Sequence, residues 1–390
     1  MEESGWKPEE ISGIGISSQM HGILYVDREG KAVSNLYTWK DEKGNEIYQN
    51  NRTYAEYLRE KGLNVHSGYG MVTHFYLTCQ HEIPQNAVAF AGIGDYLAMV
   101  LTGRKESAVN RTMADSFGGF DPERGCFCRE KLEAAGIDMR FCPQISEQIM
   151  IGKYQGIPVS CACGDNQASF LGAVEDPETQ ISVNVGTGSQ VSVWMKEKSG
   201  SAECDTIRSR VEIRPFPEEG VLCVGSSLNG GKVYERFAAF LEEIVLAFTG
   251  KRISAYPVMQ KIGEKEKKTD LIIQPLLYGE RQEEENRVGA VRNLTDKNFH
   301  LDDWISAYVK GMAEELKDLY LQFPEYVRRK KIQIVASGNG IRKNVLLQKE
   351  IEKLFGMKVL IQEQEEEAAY GAAKFIRQSL VSERGEKQKG

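Results

Sequence analysis

The stretch Ile157-Pro158-Val159-Ser160-Cys161-Ala162-Cys163-Gly164-Asp165-Asn166-Gln167-Ala168-Ser169 reads as an apolar strand running directly into a glycine, an acid and the start of a helix. A strand that hands over to a helix at a glycine turn is the repeating unit of α/β folds, and the chain continues it on both sides. Downstream, Ile181-Ser182-Val183-Asn184-Val185 ends in Gly186-Thr187-Gly188-Ser189, and Val191, Val193 and Trp194 resume as a second strand, a hairpin with a glycine-rich tip. Helical spacing follows over 232–248 and 302–323, the latter aligning Ile305, Val309, Met312, Leu316 and Leu319. A strand over 331–336, a loop at Gly338-Asn339-Gly340, a helix over 343–355, a strand over 358–361 and a helix over 365–378 complete the alternation. Upstream, residues 11–17 and 21–27 read as consecutive strands and 41–62 as a polar helical region. Residues 93–102 read as an amphipathic helix stopped by Gly103, and 129–136 as a short one. The polar break Glu175-Asp176-Pro177-Glu178 divides an α/β chain into two lobes, 1–174 and 175–381, followed by a charged tail over 382–390 expected to fray.

A length of 390 residues suits two domains of about 150 residues or a little more. Forty-nine Lys and Arg against 56 Asp and Glu leave a net charge of -7, which repels a phosphate backbone and argues against a nucleic-acid partner. The longest mostly apolar stretch, 87–101, carries Asp95 and falls short of the roughly 20 residues that a membrane span needs. The acidic start Met1-Glu2-Glu3 is unlike an export signal, so the expected compartment is the cytoplasm. Four of the eight cysteines come as C-x-C pairs, Cys126 with Cys128 and Cys161 with Cys163, with no histidine at zinc-finger spacing, so the cysteines read as reduced thiols and no metal ligand is assigned.

Three glycine turns sit at strand ends: Gly164-Asp165, Gly186-Thr187-Gly188-Ser189 and Ser337-Gly338-Asn339-Gly340. Backbone N–H groups at such turns can approach phosphate without an intervening side chain, although each turn singly also serves as a plain strand-to-helix connection. Neither G-x-G-x-x-G nor G-x-x-x-x-G-K-[ST] occurs. Asp165, at the junction of strand and helix, could accept a proton from an attacking hydroxyl or could cap the helix. His21, in Gln19-Met20-His21-Gly22, could be a polar group on a cleft wall or a satisfied strand histidine.

The order Ser17-Ser18-Gln19-Met20-His21-Gly22, Leu36-Tyr37-Thr38-Trp39-Lys40-Asp41, Gly164-Asp165-Asn166-Gln167-Ala168 resembles the FGGY carbohydrate kinases of the actin and hexokinase superfamily. Gln274-Pro275-Leu276-Leu277-Tyr278-Gly279-Glu280-Arg281, Gly338-Asn339-Gly340-Ile341-Arg342-Lys343-Asn344 and Glu366-Glu367-Ala368-Ala369-Tyr370-Gly371 extend the resemblance to nearly the whole chain. His66-Ser67-Gly68-Tyr69-Gly70, Asp95-Tyr96-Leu97 and Leu228-Asn229-Gly230-Gly231 are most similar to its sedoheptulokinase branch.

That resemblance implies two ribonuclease-H-like lobes with a central cleft, closing over a sugar and MgATP, and transfer of the γ-phosphate to a hydroxyl of a ketose such as sedoheptulose. It implies Asp165 as general base, and Gln19, Met20, His21, Trp39, Asp41 and Asn166 on the sugar side. Gly186, Thr187, Gly188, Gly338, Asn339 and Asn344 fall on the nucleotide side. A homodimer is compatible with it. The chain departs from the family pattern in two places. The opening phosphate-loop segment of roughly 60 residues is not matched, so the first lobe is expected to be N-terminally incomplete, and a catalytically inactive ligand-binding relative is the alternative expectation. Lys43 also stands where the pattern W-x-D-x-R has arginine, which exchanges a bidentate fork for a point charge.

Overall fold

The computed structural model describes residues 6–196, 211–217, 219–265, 267–279, 288–364 and 366–387. It divides into two compact units, the first comprising Met1–Gly172, Pro215–Glu219 and Glu366–Gly390, the second Ala173–Arg214 and Gly220–Glu365. Each carries its own sheet and core, as the α/β reading expects.

In the first unit, strand Ile14–Ser18 runs parallel to Ile157–Gly164, which pairs antiparallel with Met150–Tyr154. The central strand is buried at seven of its eight positions, which explains its near-continuous apolar sequence. Ile16, Tyr25, Leu58, Met71, Phe75, Phe90, Phe117 and Val159 fill the core beside it. Residues 11–17 and 21–27 do not form neighbouring strands: Leu24–Val26 pairs with Ala89–Ala91 instead. The expected helical region over 41–62 is also divided. Asn50 and Asn51, at φ 52° and 59°, make a tight turn between Ile47–Gln49 and Arg52–Thr53, and a helix forms only over Tyr54–Glu60. A capping box sets its start, with the Glu56 N–H donating to Thr53 Oγ1 at 3.1 Å and the Thr53 N–H to Glu56 Oε2 at 2.7 Å. The helix Ile93–Thr102 does stop at Gly103, in the left-handed conformation.

The C-terminal helix, Glu367–Lys387, belongs with the first unit, not with the second lobe to which the boundary 175–381 assigned it. It lies against strand Ile14–Ser18 and crosses helix Asp165–Ala173 at bare backbone: a Cβ on Gly371 would fall onto the Ala168 carbonyl, and one on Gly172 onto the Glu367 carbonyl. The helix runs on to Lys387, so the tail expected from residue 382 is helical over most of its length; Glu365, the expected helix start, lies outside the described residues.

The second unit is built on a six-stranded sheet in the order Val211–Pro215, Val221–Ser227, Ser189–Met195, Gln180–Val185, Gln333–Ser337, Lys358–Ile361. Gln180–Val185 forms the expected antiparallel hairpin with Ser189–Met195 and runs parallel to Gln333–Ser337, which is parallel to Lys358–Ile361. Along Gln180–Val185, Ile181, Val183 and Val185 are buried and Asn184 is exposed, the period-2 pattern of a strand with one face in the core. Helix Leu301–Leu321 covers the sheet through Ile305, Val309, Leu316 and Leu319, and packs on helix Val345–Phe355. The region 338–344, expected as a loop and then a helix from 343, contains one turn of helix at Asn339–Arg342. The helix proper begins after Asn344, whose Oδ1 accepts the Leu347 N–H at 3.0 Å.

Candidate functional site

Two clusters of expected functional residues form, one in each unit. In the first unit the strand register creates the cluster. Ser18 lies opposite Gly164, so Gln19 and Asp165 emerge side by side from the carboxyl ends of adjacent parallel strands, the edge at which α/β sheets gather ligands. Asp165 opens helix Asp165–Ala173 and is exposed, Asn166 is half-buried, and Gln167 turns inward, donating to the Pro215 carbonyl at 3.2 Å. Met20 is buried close to Gly164, where an added Cβ would meet its sulfur at 3.0 Å.

His21 follows in the left-handed region at φ 73°, a conformation that non-glycine residues adopt where contacts hold them. Its backbone N–H donates to Ser116 Oγ at 3.1 Å and its Nδ1 lies 2.7 Å from the Ser116 carbonyl. Because a carbonyl only accepts, that contact fixes the ring proton on Nδ1. The ring stacks on Tyr69 at 4.3 Å. The same loop reaches the Trp39 segment: the Ser67 hydroxyl donates to the Asp41 carbonyl at 3.1 Å, and a Cβ on Gly68 would strike the Trp39 carbonyl. Trp39 is 48% exposed, whereas the Asp41 carboxylate is nearly covered and accepts from Lys43 Nζ at 2.9 Å and from the Lys43 N–H at 3.0 Å. Hydrogen bonding to Asp41 raises the Lys43 pKa. The lysine ammonium reaches the carboxylate at one oxygen, as expected of a point charge in place of a guanidinium fork, and lies 5.3 Å over the Tyr37 ring.

The first unit also buries an aspartate and a histidine. Asp95, 1% exposed at the start of helix Ile93–Thr102, is set beside the Gly92 and Ala162 backbone, and burial pushes its pKa well above the usual carboxylate value. His74 is fully buried, with its Nδ1 2.7 Å from the Tyr25 hydroxyl, and burial pushes it down to about 4.

In the second unit the glycine turns converge. The Gly231 N–H donates to the Gly186 carbonyl at 2.7 Å and the Lys232 N–H to the Thr187 carbonyl at 3.2 Å. A Cβ on Gly340 would come within 3.3 Å of Gly231 Cα, and one on Gly338 within 2.5 Å of the Val185 carbonyl. Around this junction opens a cavity of about 1040 Å³, a size that suits a cofactor-sized ligand. Gly186, Thr187, Gly338, Asn339 and Asn344 all line it. Gly188 does not line it: its carbonyl packs against Gly230, inside the hairpin turn.

The cavity also recruits residues that no local motif marked. Lys232, Tyr234, Glu235 and Tyr256 line it, as does Arg342 from the loop quoted above. Gly231, Tyr234 and Glu235 face it from one side of helix Gly231–Thr249, a spacing of three and four residues that only the helix start reveals. Lys232 is held with its Nζ 4.2 Å over the Tyr278 ring. Tyr278 is in turn fixed by buried Asn229, which accepts the Tyr278 N–H at 3.0 Å and donates to the Gly279 carbonyl at 2.9 Å. Glu280 and Arg281, the end of that quoted motif, lie outside the described residues. Among the described residues no cluster of three metal-binding side chains exists and no helix is long and apolar enough to cross a membrane.

Residues 1–172 match the N-terminal domain of the FGGY family of carbohydrate kinases, which places that part of the chain in the family. Sedoheptulokinase of Mus musculus is 26% identical over 403 residues, spanning 96% of this chain and 83% of the mouse protein. Among solved structures, ligand-bound xylulose kinase from Lactobacillus acidophilus has a TM-score of 0.74 at 18% identity, covering 95% of this chain and 76% of that one. Plasmodium falciparum glycerol kinase with ADP has a TM-score of 0.70 at 16% identity, covering 93% and 74%. These two structural likenesses establish a shared fold.

Proposed function

We propose that the chain is an ATP-dependent carbohydrate kinase that transfers the γ-phosphate to a hydroxyl of a ketose, sedoheptulose or a related sugar. The observation that carries this reading is the register of Ser18 with Gly164, which sets Asp165 beside the Gln19-Met20-His21 segment at the strand ends. The similarity to the mouse sedoheptulokinase favours the ketose.

In this reading the exposed Asp165 carboxylate is the general base that takes the proton from the acceptor hydroxyl. Gln19, Met20, His21, Trp39, Asp41 and Asn166 orient the sugar. His21, held by its two Ser116 contacts, is assigned to the sugar side, and the exposed Trp39 suits the apolar side of a polyol. In the second unit the backbone at Gly186, Thr187, Gly338 and Asn339 cradles the nucleotide phosphates, with Lys232 adding charge and Asn344 lining the cavity. Mg2+, when bound with the nucleotide, offsets phosphate charge. ATP as donor makes the cytoplasm the proposed compartment.

The test is ADP formation by the purified chain over a panel of ketoses, aldoses, gluconate and glycerol. Sugar-dependent turnover highest with a ketose supports the reading. Binding of ADP and sugar with no turnover would support the inactive relative instead, and turnover with glycerol alone would overturn the ketose assignment.

A further inference from the structure

The two hydroxyl residues of one short helix tie the first unit's site together. Thr112 and Ser116 lie four residues apart on helix Arg111–Phe117, with 0% and 1% exposure, and face the same way. The Gly164 N–H donates to Thr112 Oγ1 at 3.1 Å, and Gly164 is the residue before Asp165. The His21 N–H donates to Ser116 Oγ at 3.1 Å, while the Ser116 hydroxyl donates to the Met113 carbonyl at 2.8 Å, which fixes the direction of both bonds. The Ser116 carbonyl holds the ring through Nδ1. Asn110 anchors the helix start by accepting the Thr112 N–H at 3.0 Å. At a rise of about 1.5 Å per residue, the two anchor points are about 6 Å apart along a rigid element.

Resting on the kinase reading above, we propose that Thr112 and Ser116 are positioning residues: Thr112 sets where Asp165 leaves its strand, and Ser116 sets the backbone and ring of His21. Between them they fix the spacing of the proton acceptor and the sugar-reading imidazole. Neither hydroxyl touches the substrate: Ser116 acts through His21, and Thr112 through Gly164 at the strand end, where its hydroxyl also meets the Cys163 thiol. The two roles separate kinetically, because Thr112 governs the group that acts in the transition state and Ser116 a group that binds sugar throughout.

The experiment uses Thr112→Val, Thr112→Ser and Ser116→Ala in the full chain, with the sugar that gives highest turnover. Thr112→Val is expected to lower kcat by about tenfold with the sugar KM within about twofold, and Thr112→Ser to restore it. Ser116→Ala is expected to raise the sugar KM by about fivefold or more with kcat nearly unchanged. Equal loss of kcat in Thr112→Val and Ser116→Ala with KM untouched, the signature of general destabilisation, would overturn the proposal. So would parental kinetics in both. A readout independent of turnover is the hydrogen-exchange rate of the His21 backbone amide, expected to rise in Ser116→Ala, which removes its acceptor, and not in Thr112→Val, while the ring keeps its Nδ1 proton because alanine retains the carbonyl at 116. An unchanged His21 amide in Ser116→Ala refutes the Ser116 role. A parent that turns over no sugar refutes the kinase reading and leaves the amide exchange to decide the Ser116 role alone.

Discussion

Replacing Gly338 by alanine tests whether the second unit's glycine junction is a phosphate cradle. Gly338 sits at φ 89°, ψ 149°, a region that is essentially glycine-only, so an alanine there costs about 1–3 kcal/mol in backbone strain. The new Cβ would also lie 2.5 Å from the Val185 oxygen and 2.7 Å from its carbon, closer than packed atoms approach, and both are backbone atoms that cannot rotate away. The loop must therefore shift, carrying Asn339 and Gly340 away from Gly231. A matched control is Gly356→Ala, at φ 68°, ψ 26° with nothing within 4 Å of the added Cβ. That substitution pays only the left-handed penalty of about 1 kcal/mol. Scanning calorimetry and titration calorimetry with ADP separate the two. Gly356→Ala is expected to lose a little stability and keep the parental ADP affinity, while Gly338→Ala loses more stability and weakens ADP by about tenfold or more, the equivalent of about 1.4 kcal/mol. Parental ADP affinity in Gly338→Ala would refute the argument that this junction binds the nucleotide.

Three further outcomes follow from the geometry. Lys232→Gln should weaken ADP and inorganic tripolyphosphate alike, by about fivefold, and leave adenosine binding unchanged; calorimetry with the three ligands checks it. His74 has its pKa lowered to about 4 in the folded protein against 6.5 unperturbed, so the stability it contributes is present above pH 6.5 and lost as pH falls toward 4, about 3 kcal/mol in all. The stability difference between the parent and His74→Phe in urea unfolding should shift against the parent by that amount from pH 7 to pH 4. Asp95 has the opposite sign: its folded pKa is raised, so stability declines as pH rises above the unfolded carboxylate value, by at most about 1.4 kcal/mol per pH unit. Asp95→Asn, which keeps the shape of the neutral acid, should therefore raise the melting temperature at pH 7 and gain less at pH 4.

Much of this architecture was readable from the sequence because its signals are local. The apolar strand into Gly164-Asp165, the hairpin around Gly186 and the stop at Gly103 each depend on a few adjacent residues, and all three form as expected. What escaped depends on distant partners. Gly188 carries the same chemistry as Gly186, but the turn folds it onto Gly230, 42 positions away by numbering, and out of the cavity. Nothing local marks Thr112 and Ser116, whose hydroxyls matter only because Gly164 and His21 come to meet them. The 41–62 region misleads because polar residues at helical spacing say little against a capping box at Thr53 and an Asn50-Asn51 turn. Chain order assigns the C-terminal helix to the second lobe, whereas Gly371 and Gly172 permit a backbone-close crossing in the first.

The most direct test is made at one carboxylate. Asp165→Asn, assayed for ADP formation with the preferred sugar, should lose roughly a hundredfold to ten-thousandfold in kcat, while ADP affinity, sugar affinity and melting temperature stay at parental values. Full turnover in that variant would show that the proton of the acceptor hydroxyl leaves by another route, and the proposed chemistry would fall with it.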